Sequence, residues 1–135
     1  MPQYTLHTDG GARGNPGPAG IGFVLKKNDK VVAEGGEYIG EATNNVAEYQ
    51  AILAGLRLAK KEGVKEVACF LDSLLVVEQL KRNYKVKDPK LGVLFVNVWN
   101  LIQEFKKVTF QHIRREENAH ADRLVNEAID AFSAR

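Results

Sequence analysis

The sequence is poor in cysteine, in charge of one sign and in long apolar runs. Its one cysteine, Cys69, excludes an intrachain disulfide and a cysteine-based zinc site. Cys69 lies in the apolar run Val67-Ala68-Cys69-Phe70-Leu71, which predicts a buried, unreactive thiol and a reducing, cytoplasmic setting. No apolar run approaches the ~20 residues of a membrane span. The N-terminus lacks the basic-then-apolar pattern of a secretory leader, so no membrane association is expected. Net charge is only +2, so a nucleic-acid role would need a local basic patch. Repeats, low-complexity tracts and linkers are absent too. With 135 residues and an ordinary hydrophobic fraction of 44%, the sequence predicts a single domain, 1–135, with its own core.

What is present begins with Tyr4-Thr5-Leu6-His7-Thr8-Asp9-Gly10-Gly11-Ala12-Arg13-Gly14-Asn15-Pro16-Gly17-Pro18. Tyr4, Leu6 and Thr8 fall on one face of an extended run, and Thr5, His7 and Asp9 on the other. This predicts a strand ending in an acid, then a Gly/Asn/Pro loop whose backbone a ligand can approach closely. Ile21 to Leu25 reads as a second strand, Lys26 to Lys30 as a turn, and Val31 to near Ile39 as the return strand. Short connections make these an antiparallel meander. Thr43-Asn44-Asn45 opens a helix that ends near Gly63. Val67 to Leu71 suits a strand buried on both faces. Asp72-Ser73 caps a helix running from Leu74 to about Leu80. Lys81 to Lys90 is the one clearly basic stretch, with Lys81, Arg82, Lys85, Lys87 and Lys90 against Asp88. Pro89 is expected to break it before a helix from about Gly92 to Phe105. Val108 to Ile113 alternates as a fifth strand, Arg114 to Asn118 is a charged loop, and a last helix runs from about Ala119 to Phe132. The order β-β-β-α-β-α-α-β-α predicts a mixed sheet with helices packed on it.

Four acids stand at element ends: Asp9, Glu48, Asp72 and Asp122. Each has an ordinary explanation available. Glu48, three residues after Asn45, could complete a capping box. Asp72 could be an N-cap, and Asp122 could answer the macrodipole of the last helix. Together they read differently. Asp9 and Asp72 end strands that can be neighbours, while Glu48 and Asp122 open helices that can pack against them. Such a cluster repels itself without cations, and oxygen-only ligation suits Mg²⁺ or Mn²⁺ rather than zinc. Two such ions about 4 Å apart serve phosphodiester hydrolysis, one activating water and the other stabilising the leaving oxygen. The Gly-rich loop and the basic segment suit a nucleic-acid backbone.

Thr8-Asp9-Gly10-Gly11, Gly14-Asn15-Pro16-Gly17-Pro18-Ala19-Gly20, Thr43-Asn44-Asn45-Val46-Ala47-Glu48, Leu71-Asp72-Ser73 and Asn118-Ala119-His120-Ala121-Asp122 resemble the type 1 ribonuclease H family, in the family's order and over nearly the whole chain. The resemblance implies an α/β, RNase H-like fold: a five-stranded mixed sheet (antiparallel meander plus parallel strands) with helices on both faces. It implies a metal-dependent endonuclease that cuts the RNA strand of an RNA–DNA hybrid, leaving 5′-phosphate and 3′-hydroxyl ends. Two Mg²⁺ ions, replaceable by Mn²⁺, would be held by Asp9, Glu48, Asp72 and Asp122. Asp9 would bridge them, Asp122 would serve the water-activating ion, and Glu48 and Asp72 the ion beside the leaving 3′ oxygen. The 2′-hydroxyl tells RNA from DNA. Amides around Gly10, Gly11 and Arg13, and the side chains of Asn15, Asn44 and Asn45, match minor-groove contacts. Thr43 matches a DNA-phosphate pocket. The partner is thus an RNA–DNA hybrid, with duplex RNA a second candidate, and the chain is expected to act as a monomer without an obligate protein partner.

The sequence also departs from the family pattern. Many members carry a His on a mobile loop before the last acid. Here Ile113 to Asn118 is short and resembles a branch with Arg in that place, making Arg115 the assisting candidate and strand residue His112 its rival. Arginine cannot act as a base at neutral pH, so it would orient a phosphate or help product leave. His7 shares a strand face with Asp9, but a packed strand histidine is expected; His120 is expected near the surface. Leu74 stands where the family often has a substrate-contacting Gln. The basic-helix insert is missing, and no separate hybrid-binding domain is evident at either terminus. Competing readings fit less well. Pro16 and Pro18 disfavour a nucleotide-binding fingerprint, and no Gly-Lys-Ser/Thr follows. Related 3′–5′ exonucleases start with Asp-x-Glu, whereas Asp9 precedes two glycines. The alternative of a different class is a non-catalytic module binding RNA–DNA hybrid or duplex RNA, for which four retained acids are superfluous.

Overall fold

A computed structural model describes residues 3–134; Met1, Pro2 and Arg135, which the expected domain includes, lie outside the described residues. The elements are β1 (Tyr4–Ala12), β2 (Gly17–Lys27), β3 (Lys30–Ala42), α1 (Asn44–Lys61), β4 (Glu66–Leu71), α2 (Leu74–Leu80), α3 (Pro89–Ile102), β5 (Lys107–His112), a 3₁₀ turn (Arg115–Asn118) and α4 (Ala119–Ser133). The strands form one sheet in the order β3-β2-β1-β4-β5. β1–β2 and β2–β3 pair antiparallel, and β1–β4 and β4–β5 pair parallel, giving the expected mixed sheet.

The larger core joins one sheet face to α1, α2 and α3, through Leu6, Tyr49, Ile52, Leu56, Cys69, Leu71, Val76, Val98 and Phe110. A smaller cluster, Val24, Ala121 and Leu124, lies under α4 on the other face. Helices therefore cover both faces. Cys69 is fully buried, and burial pushes its thiol well above the ordinary range, as its apolar flanks predict. Tyr49 Oη donates to Gln79 Oε1 at 2.7 Å, tying α1 to α2 through the core. No helix among the described residues is long and apolar enough to cross a membrane.

Several boundaries differ from the sequence reading: β2 starts at Gly17 rather than Ile21, and α3 ends at Ile102 rather than near Phe105. Gly10, Gly11 and Ala12, read as loop, continue β1 and pair with Ile21, Gly20 and Ala19. Glycine is unfavourable in a strand interior, but here helices press so close that a side chain has no room. A Cβ on Gly10 would lie 2.2 Å from the Ala47 carbonyl, and one on Gly22 would lie 2.3 Å from that of Ala121. β3 likewise runs on to Ala42. Pro89 starts α3 rather than separating it from the basic stretch: Asp88 is the N-cap, accepting from Lys90 N–H at 2.8 Å, and proline fits the first helical turn because its missing N–H is unpaired there anyway.

These contacts distinguish two glycines by physics. Gly10→Ala must push β1 from α1, with a cost of about 1–3 kcal/mol expected from overpacking. Nothing lies within 4 Å of the Cβ position on Gly92 inside α3, so Gly92→Ala should add about 0.5–1 kcal/mol. Urea melts of both variants check this; a Gly10→Ala variant as stable as the parent would contradict the close approach.

Candidate active site

The site forms where the sheet changes sense. β1 meets β2 through a hairpin on one side and parallel β4 through a crossover on the other, so the chain ends diverge and leave a cleft. The β1–β4 register pairs Leu6 with Cys69 and His7 with Phe70; two residues on, Asp9 and Asp72 stand side by side. α1 crosses Gly10, bringing Glu48 to the same point, where Gly10 N–H donates to Glu48 Oε1 at 3.3 Å. α4 starts over Gly22, the antiparallel partner of Asp9, and carries Asp122 in its first turn.

One ligand oxygen each from Asp9, Glu48 and Asp72 falls within 4.8 Å of the others. Asp122 lines the same cleft, of ≈ 430 Å³, and its charge acts on Asp9. Two of the ordinary explanations fail. The N-cap of α1 is Thr43, whose Oγ1 accepts from Val46 N–H, so Glu48 completes no capping box with Asn45. The N-cap of α2 is Ser73, not Asp72. Asp122 does sit in a first helical turn, where the macrodipole favours it.

Placing carboxylates together away from water raises their affinity for protons. Burial, then the charge of Asp72, pushes Asp9 up to about 7. Glu48, more deeply buried, is pushed well above the ordinary range by burial and then by Asp9. Its Oε2 is buried without a hydrogen-bond partner. A hard cation would relieve both the repulsion and the orphaned oxygen. The donors are all carboxylate oxygens, a set that fits Mg²⁺ or Mn²⁺.

Of the other residues singled out by sequence, Gly10, Gly11, Arg13, Asn44, Asn45 and Arg115 line this cleft; Asn15 and Thr43 do not, but stand beside it. Asn15 Oδ1 accepts from Asn44 N–H at 3.0 Å, and Asn44 Oδ1 accepts from Ala12 N–H at 2.9 Å. These carbonyls clamp the β1–β2 connection to the start of α1 and leave both amide NH₂ groups as donors. The expectation of free backbone amides changes here. Gly10 N–H goes to Glu48, Ala12 N–H to Asn44, and Arg13 N–H to Pro18 O at 2.8 Å. Arg13 itself pairs with Asp130 at 2.7 Å and reaches Asn126 Oδ1 at 3.4 Å.

The histidines stand elsewhere. His112 ends β5, exposed and outside the cleft lining. His7 stacks on Phe70 at 5.1 Å, and burial, then Lys26, lowers its pKa. His120 lies 3.2 Å from Glu34. A larger concavity, ≈ 600 Å³, lies against Tyr4, Lys65 and Lys107 at the opposite end of the sheet, and Glu66 is the one acid in its lining. The acid cluster, not size, marks the candidate site. Sequence reasoning missed Asn126, which donates to Asp122 O at 3.1 Å, and the bonds of Asn118. The i+4 spacing of Asn126 from Asp122 was a visible signal.

Linkage gives these acids a sign. Asp9 binds its proton more tightly folded than unfolded, so its contribution to stability is present at low pH and is lost as pH rises through about 7. Without divalent ions, Asp9→Asn should therefore melt higher than the parent at pH 8, and this advantage should shrink toward pH 5. Thermal melts across that range check it; a difference independent of pH would contradict the buried, repelled carboxylate.

Known proteins resemble this chain in sequence and fold. A family model described as reverse transcriptase-like matches residues 7–128. A bifunctional protein of Mycobacterium tuberculosis is 48% identical over 131 residues, covering 96% of this chain and 36% of that protein. Ribonuclease HI of Halobacterium salinarum is 44% identical over 123 residues, covering 90% of this chain and 62% of that one. The chain thus spans about a third of the mycobacterial relative and under two thirds of the halobacterial one. The crystal structure of LC11-RNase H1 in complex with an RNA/DNA hybrid superposes with a TM-score of 0.92 at 46% identity, covering 96% of this chain and 98% of that one. With matches at this level across its length, the chain belongs to the type 1 ribonuclease H family.

Proposed function

We propose that this chain is an endoribonuclease that hydrolyses the RNA strand of RNA–DNA hybrids with divalent metal ions, leaving 5′-phosphate and 3′-hydroxyl ends. The observation that carries it is the convergence of Asp9, Glu48 and Asp72 within 4.8 Å, with Asp122 on the same cleft. Asp9 interacts with Glu48, Asp72 and Asp122, which supports its being shared among the residues that would hold the cations. When bound, Mg²⁺ (or Mn²⁺) supplies Lewis-acid stabilisation of the phosphate and a lowered water pKa. The protein's part is to hold the four carboxylates in place.

The surroundings fit a hybrid. At Gly11, which lines the cleft with only Val125 near its Cβ position, a nucleic-acid backbone can come close, whereas the space beside Gly10 is taken by α1. The free NH₂ donors of Asn15 and Asn44, with Asn45, suit minor-groove acceptors and the 2′-hydroxyl. Thr43 stands at the N-terminus of α1, where the first N–H groups and the macrodipole favour a phosphate. Arg13 would exchange Asp130 for substrate at little cost, since the pair is exposed. Arg115, exposed on the cleft, is assigned to orient a phosphate or speed product departure. The proposal extends to action as a monomer in a reducing cytoplasm.

Cleavage of an end-labelled RNA–DNA hybrid with Mg²⁺, beside single-stranded RNA, duplex RNA and duplex DNA, tests the reading. Internal cuts in the hybrid's RNA strand are expected. Retained hybrid binding without cleavage in either Mg²⁺ or Mn²⁺ would make this a binding module. Asp9→Asn should lower turnover by at least about a thousandfold, because several kcal/mol of charge stabilisation depend on it, while circular dichroism stays native. Arg115→Ala should lower turnover about tenfold or more, as expected for losing a charged hydrogen bond to phosphate, and His112→Ala should change it little. The opposite order in steady-state kinetics would move the assisting role to His112.

A further inference from the structure

We propose that Asn118 is a positioning residue for the acid cluster, its side-chain amide fixing the Asp72 carboxylate and the end of β1 in the arrangement that takes up the cation. The proposal rests on the metal-dependent nuclease reading above. Asn118 is 1% exposed. Its Nδ2 donates to Thr8 O at 2.8 Å and to Asp72 Oδ2 at 2.9 Å, so both amide hydrogens are committed. The orientation is dictated chemically, because turning the amide over would set its oxygen against two acceptors.

Capping does not explain this residue. Asparagine is a preferred N-cap, and Asn118 stands at the N-cap position of α4. Yet its side chain makes no cap hydrogen bond. Its Oδ1 is buried without a partner, which a capping or solvent-facing amide would avoid. The geometry is instead spent on joining three elements that each carry an acid. Thr8 precedes Asp9 in β1, Asp72 follows β4, and Asp122 lies one turn further along α4.

Asp72 needs such a restraint. It is only half-buried, and its charge meets that of Asp9. Among the described residues its carboxylate accepts a hydrogen bond from Asn118 alone. Without that donor, repulsion and hydration both favour its turning outward. A cation would then have to order Asp72 on binding, and affinity would fall. Partners that orient a metal ligand typically contribute about ten- to a hundredfold in metal affinity or activity.

The test is calorimetric titration of the full chain with Mg²⁺ alone, comparing the parent, Asn118→Ala and Gln79→Ala. Gln79→Ala removes a different buried hydrogen bond, to Tyr49, and serves as a control for general loosening. Asn118→Ala should bind Mg²⁺ about ten- to a hundredfold more weakly, with kcat recovering as Mg²⁺ is raised and KM for the hybrid unchanged. Gln79→Ala should melt lower but titrate like the parent. Asn118→Ser, which keeps a short polar group at the helix start, carries the same comparison if the alanine variant does not fold. Parent-like Mg²⁺ affinity in the Asn118 variants, or an equal loss in Gln79→Ala, would overturn the positioning role alone. A parent protein that neither takes up Mg²⁺ nor cuts the hybrid would overturn the nuclease reading and this proposal with it.

Discussion

Mutual repulsion among buried carboxylates is the constraint on which this molecule depends. Asp9 and Glu48 are each less than a tenth exposed, and Asp72 and Asp122 stand beside them. Water would separate such groups, and the fold must hold them together against that tendency. It does so with backbone rather than with salt bridges. α1 rests on Gly10 and α4 on Gly22, at distances no other residue would allow. The same close approach that removes two side chains from the strands therefore sets Glu48 and Asp122 against Asp9. The stored repulsion is an affinity for protons when no cation is bound, and for a hard cation when one is.

Around the acids, the asparagine amides divide their donors and acceptors between fixed tasks and unpaired ends. The carbonyls of Asn15 and Asn44 secure the β1–β2 connection to α1, leaving their NH₂ groups turned to other use. The NH₂ of Asn118 is spent on Thr8 and Asp72, leaving its carbonyl unpaired. One residue type thus serves opposite tasks, because an amide offers both a donor and an acceptor and the surrounding backbone decides which is consumed. The basic stretch after α2 and the exposed Arg115 add positive charge that the nearly neutral chain lacks as a whole.

Element type and order were legible in the chain because each strand and helix buries a face, and burial writes a period into the sequence. The alternation of Tyr4 to Asp9, the apolar run of Val67 to Leu71 and the helical spacing after Thr43 are local signals. The errors fell where local and tertiary forces disagree. Gly10 looks like a loop residue because glycine disfavours strands, yet here helix contact requires glycine within a strand. Pro89 looks like a break, yet it begins α3 once Asp88 caps it.

For the site, the sequence by itself determined which groups are available: four carboxylates at element ends, oxygen donors without histidine or cysteine partners, and the motif order that resembles the ribonuclease H family. Tertiary structure alone decided which of those groups meet. Ser73 and Thr43 took the capping roles and released Asp72 and Glu48, the β1–β4 register set Asp9 beside Asp72, and Asn118 turned inward from its helix start. The physical reason is range. Capping, alternation and helix period act within a few residues, whereas the site joins residues 38 to 110 positions apart, whose contacts exist only after the sheet has closed.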